Sequence, residues 1–105
     1  MPQESLLEAI QAAFRQGRYR LTVHGLREAT ADEIASEDIR TAIISEEAEV
    51  VEDYPDDPRG SSCLILGWAV AGRPLHVVVS YPPDVTVITA YAPDPERWEQ
   101  YRKRI

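Results

Sequence analysis

Several residue types that build recognisable sites are scarce in this sequence of 105 residues. It contains one cysteine, Cys63, and two histidines, His24 and His76. A single cysteine excludes a disulfide within the chain, and it suits the reducing cytoplasm, where we expect the protein to reside. The three residues lack the H-x-x-x-H and C-x-x-C spacings of metal sites, so the sequence predicts no bound metal.

Long apolar runs and glycine-rich loops are also missing from the sequence. No stretch approaches the roughly 18 apolar residues of a membrane-spanning helix. The first residues lack the basic-then-apolar order of a secretory signal. No phosphate-binding loop, nucleophile elbow or dinucleotide fingerprint occurs. These absences predict that the protein neither associates with membranes nor carries a cofactor.

Positive charge is in the minority, with 11 basic against 18 acidic residues and a net charge of -7. This balance disfavours bulk attraction to nucleic acid or anionic lipid. The excess of acidic residues lies in one segment. Residues 32–57 hold eleven acidic groups and one basic group, whereas residues 1–31 and 58–105 are slightly basic. The sequence therefore still allows a local basic surface. The acidic block is either a solvated face or a docking surface for a basic partner.

The residues that are present predict one α+β domain over residues 1–105, led by helices. Ser5 and Glu8 have the form of a capping box before apolar residues at helical spacing. Ser36 with two following acids is a second strong helix start. The predicted segments are an amphipathic helix over about residues 4–16, a short strand or extended lead-in over 19–23, and helices over about 24–31 and 36–45.

Apolar, β-branched runs separated by Pro, Gly and Asp turns then predict four strands over residues 49–54, 63–70, 75–80 and 85–91. Short connections make them an antiparallel meander. Asp94 as a cap and Pro95 at the first helical position predict a closing helix to Arg104. The expected fold is thus two or three N-terminal helices packed on a four-stranded antiparallel sheet, with a short C-terminal helix.

Polar side chains on the last strands are candidate site residues. Thr89 and Tyr91 share one face of their strand, since alternate residues project to the same side. Whether His76 on the neighbouring strand joins them depends on register, which the sequence leaves open. His24, where an extended segment meets a helix, is either a structural hydrogen-bonding group or a general acid or base.

Four segments of the sequence, in order, resemble the DUF4258 family: YRLTVHGLREA, ASEDIRTAI, EVVEDYPDDPRGSSCLILGWAVAGRPLHVVV and VTVITAYAPDPERW. The resemblance covers about residues 19–98. By fold grouping, the family is similar to the RelE/ParE-like toxins of bacterial toxin–antitoxin systems and to related metal-independent ribonucleases. It therefore implies two N-terminal helices on a four-stranded antiparallel sheet.

The resemblance also implies a function and its residues. Metal-free RNA cleavage needs a base, an acid, and cationic or hydrogen-bonding groups for the charge that develops on phosphate. Arginine suits that last role because it binds phosphate through two donors. The implied residues are His24, His76, Thr89 and Tyr91 in catalysis, and Arg27 and Arg73 in phosphate binding. The implied partners are RNA and an antitoxin or other protein.

Two other functions are consistent with the sequence. In one, the protein is a non-catalytic interaction module whose residues 32–57 dock a basic partner, and the histidines are structural. Two departures favour it: Asp32 and Glu33 stand where the family often carries an arginine, and the acidic total contrasts with the basic surface of most RNA-cleaving toxins. In the other, the protein self-associates through the edge strand Glu49–Tyr54. The expected state is a monomer or a homodimer.

Overall fold

The computed structural model describes residues 3–105, with side chains from Ser5 onward. Within that range lie three helices, α1 (Gln3–Arg15), α2 (Val23–Ala31) and α3 (Ser36–Ile44). The strands are β1 (Arg20–Leu21), β2 (Glu49–Tyr54), β3 (Ser62–Trp68), β4 (Pro74–Ser80), β5 (Thr86–Tyr91), β6 (Trp98–Glu99) and β7 (Lys103–Arg104). Because α1 begins at Gln3, Ser5 lies inside the helix, and the predicted capping box is wrong. None of the described helices is both long and apolar enough to cross a membrane.

The main sheet has five strands in the order β1-β5-β4-β3-β2. Strands β2 to β5 form the predicted antiparallel meander. The difference lies at the edge, where β1 pairs in parallel with β5 through Arg20 opposite Thr86 and Leu21 opposite Val87. The sheet is therefore mixed and five-stranded rather than purely antiparallel with four strands. A two-residue strand carries too little periodicity for sequence analysis to separate it from an extended lead-in.

The predicted C-terminal helix does not form. Asp94 does cap one turn, since its carboxylate accepts from the backbone N–H of Glu96 at 2.9 Å. Gln100 and Tyr101 then both adopt positive φ, 51° and 65°, which a right-handed helix does not allow. Strands β6 and β7 instead pair as a short hairpin, with Trp98 opposite Arg104. We call residues 98–104 the C-terminal strap.

The helices cover only one of the two faces of the sheet. The helices pack on one face, where they share a buried core with Ile65, Val77 and Val87 among others. We call the opposite side the outer face. Strand register places on it Ser62, Leu64 and Leu66 of β3, His76, Val78 and Ser80 of β4, and Thr89 and Tyr91 of β5. His76 lies directly opposite Tyr91, and Val78 opposite Thr89, so register answers the question that the sequence left open.

Close contact between α3 and the sheet depends on Gly67 in β3. A Cβ atom at this position would lie 2.1 Å from the carbonyl oxygen of Ala42 in α3. Only glycine leaves room for the helix backbone to approach the strand this closely. That approach anchors α3 over the centre of the sheet.

Helix α2 covers the edge of β5 beyond the point where β1 ends. Thr22 caps the helix by accepting from the N–H of Gly25 at 2.8 Å, and its hydroxyl donates to the carbonyl of Val87 at 3.2 Å. At the other end, the carboxylate of Asp32 accepts from the N–H of Ala92 at 2.9 Å. The helix therefore runs alongside β5 from one end to the other. The lengths agree, because nine helical residues and four strand residues each advance about 13 Å.

Candidate active site on the outer face

Two hollows on the outer side of the sheet are lined in part by β5, and a third, of about 540 Å³, is lined by the loop residues 54–59. The strap groove, of about 590 Å³, is lined by Asp32, Tyr91, Ala92, Asp94, Glu96, Arg97, Trp98, Arg104 and Ile105. The loop pocket, of about 440 Å³, is lined by Tyr54, Asp57, Arg59, Gly60, Ser62, Val78 and Ile88. Strand β5 contributes to both, through Tyr91 to the groove and through Ile88 to the pocket. The candidate site is built around this strand.

His76 is fully buried, and both of its ring nitrogens are bonded. Nε2 lies 2.6 Å from the carbonyl oxygen of Tyr101, and Nδ1 lies 3.1 Å from the phenol oxygen of Tyr91. A carbonyl oxygen can only accept, so we assign the proton to Nε2, which leaves Nδ1 to accept from the Tyr91 hydroxyl. Burial lowers the pKa of His76, although the Tyr101 carbonyl opposes this shift. The imidazole is thus held neutral.

The C-terminal strap seals His76 from solvent. The Trp98 ring stands perpendicular to the imidazole with centroids 4.4 Å apart, and the Arg104 guanidinium lies 4.6 Å over the Trp98 ring. A stacked cation of this kind adds attraction to the packing. His76 does not line the strap groove but contacts two residues that do, Trp98 and the half-buried Tyr91. Burial raises the pKa of the Tyr91 phenol.

Glu52 connects the two hollows. Its carboxylate accepts from Arg104 Nε at 2.8 Å, and it also accepts from the hydroxyl of Tyr54. Burial by itself would raise the pKa of Glu52, but the hydrogen bonds from Arg104 and Tyr54 outweigh it, and the pKa is lowered. Since Tyr54 lines the loop pocket and Arg104 lines the strap groove, this carboxylate fixes the geometry of both.

His24 lies in the first turn of α2 with 70% of its side chain exposed, and its Nε2 is 3.4 Å from the carboxylate of Glu28. Residues four apart stack along one side of a helix, so His24, Glu28 and Asp32 form a row. Asp32 lines the strap groove. The row therefore runs along the side of α2 that borders the outer face. Within residues 3–105, no hydrogen bond or ring contact joins His24 to His76.

The two arginines expected to bind phosphate lie elsewhere. Arg27 is exposed, and it lies about 200° around the helix from buried Gly25, on the side turned away from the sheet. The Arg73 guanidinium donates to the carbonyl oxygens of Asp32 and Glu33, where α2 ends. That contact satisfies carbonyls that a helix end leaves free. Phosphate binding by Arg27 and Arg73 stays a prediction.

Sequence analysis missed several residues of this region. Glu52 and Tyr54 alternate on β2, and that period would have placed them on one face together. No pattern in the sequence indicates that Arg104 and Trp98 belong to the site, because they reach the sheet only through the hairpin that replaces the predicted helix. The residues that the structure brings together are thus Thr89, Tyr91 and His76 from the prediction, with Glu52, Trp98 and Arg104 added.

Part of the acidic block is paired within the chain. Glu49 accepts from Arg102 at 2.7 Å, Glu52 pairs with Arg104, and Asp57 lies 3.2 Å from Arg59. Two of these cations belong to the C-terminal strap, outside the block. The block therefore presents less free negative charge than its composition suggests, while docking of a basic partner stays a prediction.

Comparison with known proteins gives a match to a family model. A family model described as a domain of unknown function, DUF4258, matches residues 21–92. No curated protein and no solved structure matches the chain. The matched range includes α2, the meander and both histidines, and it ends before the C-terminal strap.

Proposed function

The chain belongs to the DUF4258 family, whose description states no activity, and from that premise we propose that the protein cleaves RNA without a metal ion at its outer face. One observation carries the proposal: the exposed imidazole of His24 lies in a row that borders the outer face, where β5 presents the hydroxyls of Thr89 and Tyr91. An exposed imidazole at the border of a face that carries hydroxyls and a groove with arginines supplies the parts that phosphate transesterification needs. The resemblance to RelE/ParE-like toxins supports the same chemistry.

In the proposed reaction, His24 takes the proton of a ribose 2′-hydroxyl as that oxygen attacks the phosphorus. The bond from phosphorus to the 5′-oxygen breaks, and the leaving oxygen takes a proton from a water molecule. The hydroxide left by that water takes the proton from His24, which restores the neutral imidazole. The products are a 2′,3′-cyclic phosphate and a 5′-hydroxyl end.

The remaining groups bind the phosphates of the RNA or hold other side chains of the site in place. Arg97 and Arg104 line the strap groove at the far end of α2 from His24, and we assign to them the binding of another phosphate of the same RNA because a guanidinium offers several donors to phosphate oxygens. Thr89 donates to the phosphate that reacts. His76, buried and neutral, is a positioning residue that orients the Tyr91 hydroxyl.

Substitution of His24 tests this proposal. We expect His24→Ala to slow cleavage of an unstructured RNA in EDTA by at least about 100-fold, the typical contribution of a general base. Its free energy of unfolding should change by less than about 0.5 kcal/mol, because the side chain is exposed. Val23→Ala, in the same turn and also exposed, is the matched control and should cleave normally.

The product and the substrate supply further checks. A 2′-deoxy substitution at the cleaved nucleotide should abolish the reaction, since it removes the attacking oxygen. Cleavage that survives either change, or that requires a divalent metal, would contradict the mechanism. Folded wild-type protein that leaves all RNA intact would instead favour the alternative function, docking of a basic partner by residues 32–57.

A further inference from the structure

We propose that the loop pocket binds one unpaired nucleobase of the RNA whose phosphate lies in the strap groove. This inference rests on the proposed function and adds a base-recognition site to it. The pocket has an apolar floor, a few polar groups and a volume of about 440 Å³. That combination is usual for sites that hold small planar molecules.

Ser62 contributes a hydroxyl to the loop pocket. The residue is only 6% exposed, and it lines the pocket. Within residues 3–105 its hydroxyl has no hydrogen-bond partner. The hydroxyl oxygen reaches the pocket surface, since among the described side chains only Trp68 Nε1 is both buried and without a hydrogen-bond partner. A ligand with a donor or acceptor on its edge, as every base has, would supply that partner.

The floor of the pocket comes from a β-bulge. Val78 pairs with Thr89 and Val79 with Val87, which leaves Ile88 as the extra residue of β5. Ile88 is 38% exposed and lines the pocket beside Val78. Bulges of this kind redirect side chains and are common next to functional sites. Here the bulge presents apolar surface on which a base can lie.

Tyr54 provides an aromatic wall. It is 39% exposed at the end of β2, and its hydroxyl donates to Glu52, which holds the ring in place. Aromatic rings held in this way are the common stacking platforms for unpaired bases. The pocket is also lined by the pair of Arg59 and Asp57, whose guanidinium and carboxylate can bond the edge of a base.

The position of the pocket favours RNA over an unrelated small molecule. Glu52 joins Tyr54 to Arg104 of the strap groove. Along β5, Ile88 of the pocket and Tyr91 of the groove are three residues apart, about 10 Å. A few unstacked nucleotides span that distance, so one strand can place a phosphate in the groove and a base in the pocket.

Binding of short oligonucleotides tests the inference without relying on cleavage. The probes are fluorescent trinucleotides with 2′-O-methyl groups, which cannot react, and a set in which one nucleotide at a time lacks its base. We expect one abasic position to weaken binding to wild-type protein by about 5- to 150-fold, the range for one stacked base. Tyr54→Ala should weaken binding of the intact probe similarly and leave that abasic probe unaffected.

Control variants separate the ring from the hydroxyl and from the fold. Tyr54→Phe keeps the stacking surface and should bind almost as wild type does. Ser62→Ala should weaken the intact probe more than the abasic one, which keeps the test usable if Tyr54→Ala fails to fold. Val70→Ala, 72% exposed in the turn between β3 and β4, should change nothing.

The outcomes separate this inference from the proposed function. Base-dependent binding by a protein that leaves natural RNA intact would support the pocket and overturn the ribonuclease. Equal binding of intact and abasic probes by wild-type protein would overturn the pocket, even if RNA is cleaved. Equal weakening of both probes by Tyr54→Ala would likewise overturn it.

Discussion

The two histidines of this chain have the same side chain and opposite environments. His24 is largely exposed beside Glu28 in the first turn of α2. His76 is fully buried, with its nitrogens bonded to Tyr91 and Tyr101. Exposure lets the first exchange protons with a substrate, whereas burial keeps the second neutral and fixes a neighbouring hydroxyl. The chemistry of each is decided by what surrounds it.

Burial of His76 makes stability depend on pH. Its pKa is lowered in the folded state, so below its usual value near ~6.5 the unfolded chain binds more protons than the folded one. We expect the free energy of unfolding to be constant above pH 7 and to fall as the pH drops from 6.5 toward 5. Urea unfolding between pH 5 and 8 measures this, and it stays above the range where Glu52 titrates.

Because the chain has two histidines, their variants isolate the source of the effect. His24→Gln should keep the pH dependence, whereas His76→Gln should be less stable at neutral pH and lose it. A dependence that disappears with His24→Gln instead would show that the wrong histidine has been assigned.

Tertiary contacts overrule local signals in the short elements. After Asp94 the sequence has a cap, a proline and a helix-compatible run, and one turn does form there. The chain then reverses at Gln100 and Tyr101. The reversal lets Trp98 bury itself against His76 and lets Arg102 and Arg104 reach Glu49 and Glu52. Burial of a large aromatic side chain outweighs the helix propensity of a few exposed residues.

The packing of α3 on the sheet depends on the absence of a side chain at Gly67. Gly67→Ala should lower the free energy of unfolding by at least about 3 kcal/mol, since its Cβ would overlap backbone atoms of Ala42 that no rotamer change can move. Gly17→Ala is the matched control. It meets no atom within 4 Å but has φ of +71°, so it should cost only about 1 kcal/mol. Denaturant unfolding compares them, and equal losses would contradict the proposed helix–strand contact.

Although the whole molecule is acidic, its charges are distributed so that arginine side chains remain on the outer face. The strap folds Arg102 and Arg104 onto the acidic block, while Arg97 stays 84% exposed beside the groove. The outer face therefore combines neutralised carboxylates with a few donors for phosphate. Such a surface binds through local contacts rather than through a broad positive field.

The salt dependence of RNA binding follows from this arrangement. With about two phosphate contacts, at Arg97 and Arg104, the slope of log binding constant against log salt should be roughly -1.4. Arg97→Gln should flatten it by about 0.7, whereas Arg27→Gln, on the far side of α2, should leave it unchanged. Titrations of an unreactive oligonucleotide at several salt concentrations measure both. A change with Arg27→Gln alone would place the phosphate on the outward side of α2.

The sequence by itself determined the α+β class, the three helices and the order of the meander. These follow from periodicity and turn residues, which are properties of short segments. It also placed Thr89 and Tyr91 on one side of β5, because alternation along a strand is local.

Only the tertiary structure decided what meets these side chains. Strand register places His76 opposite Tyr91, and the C-terminal strap covers His76. Glu52 bonds both Arg104 and Tyr54. Each of these contacts links residues far apart in the chain. Their formation depends on which surfaces exclude water together, and that balance is set by the assembled sheet rather than by any one segment.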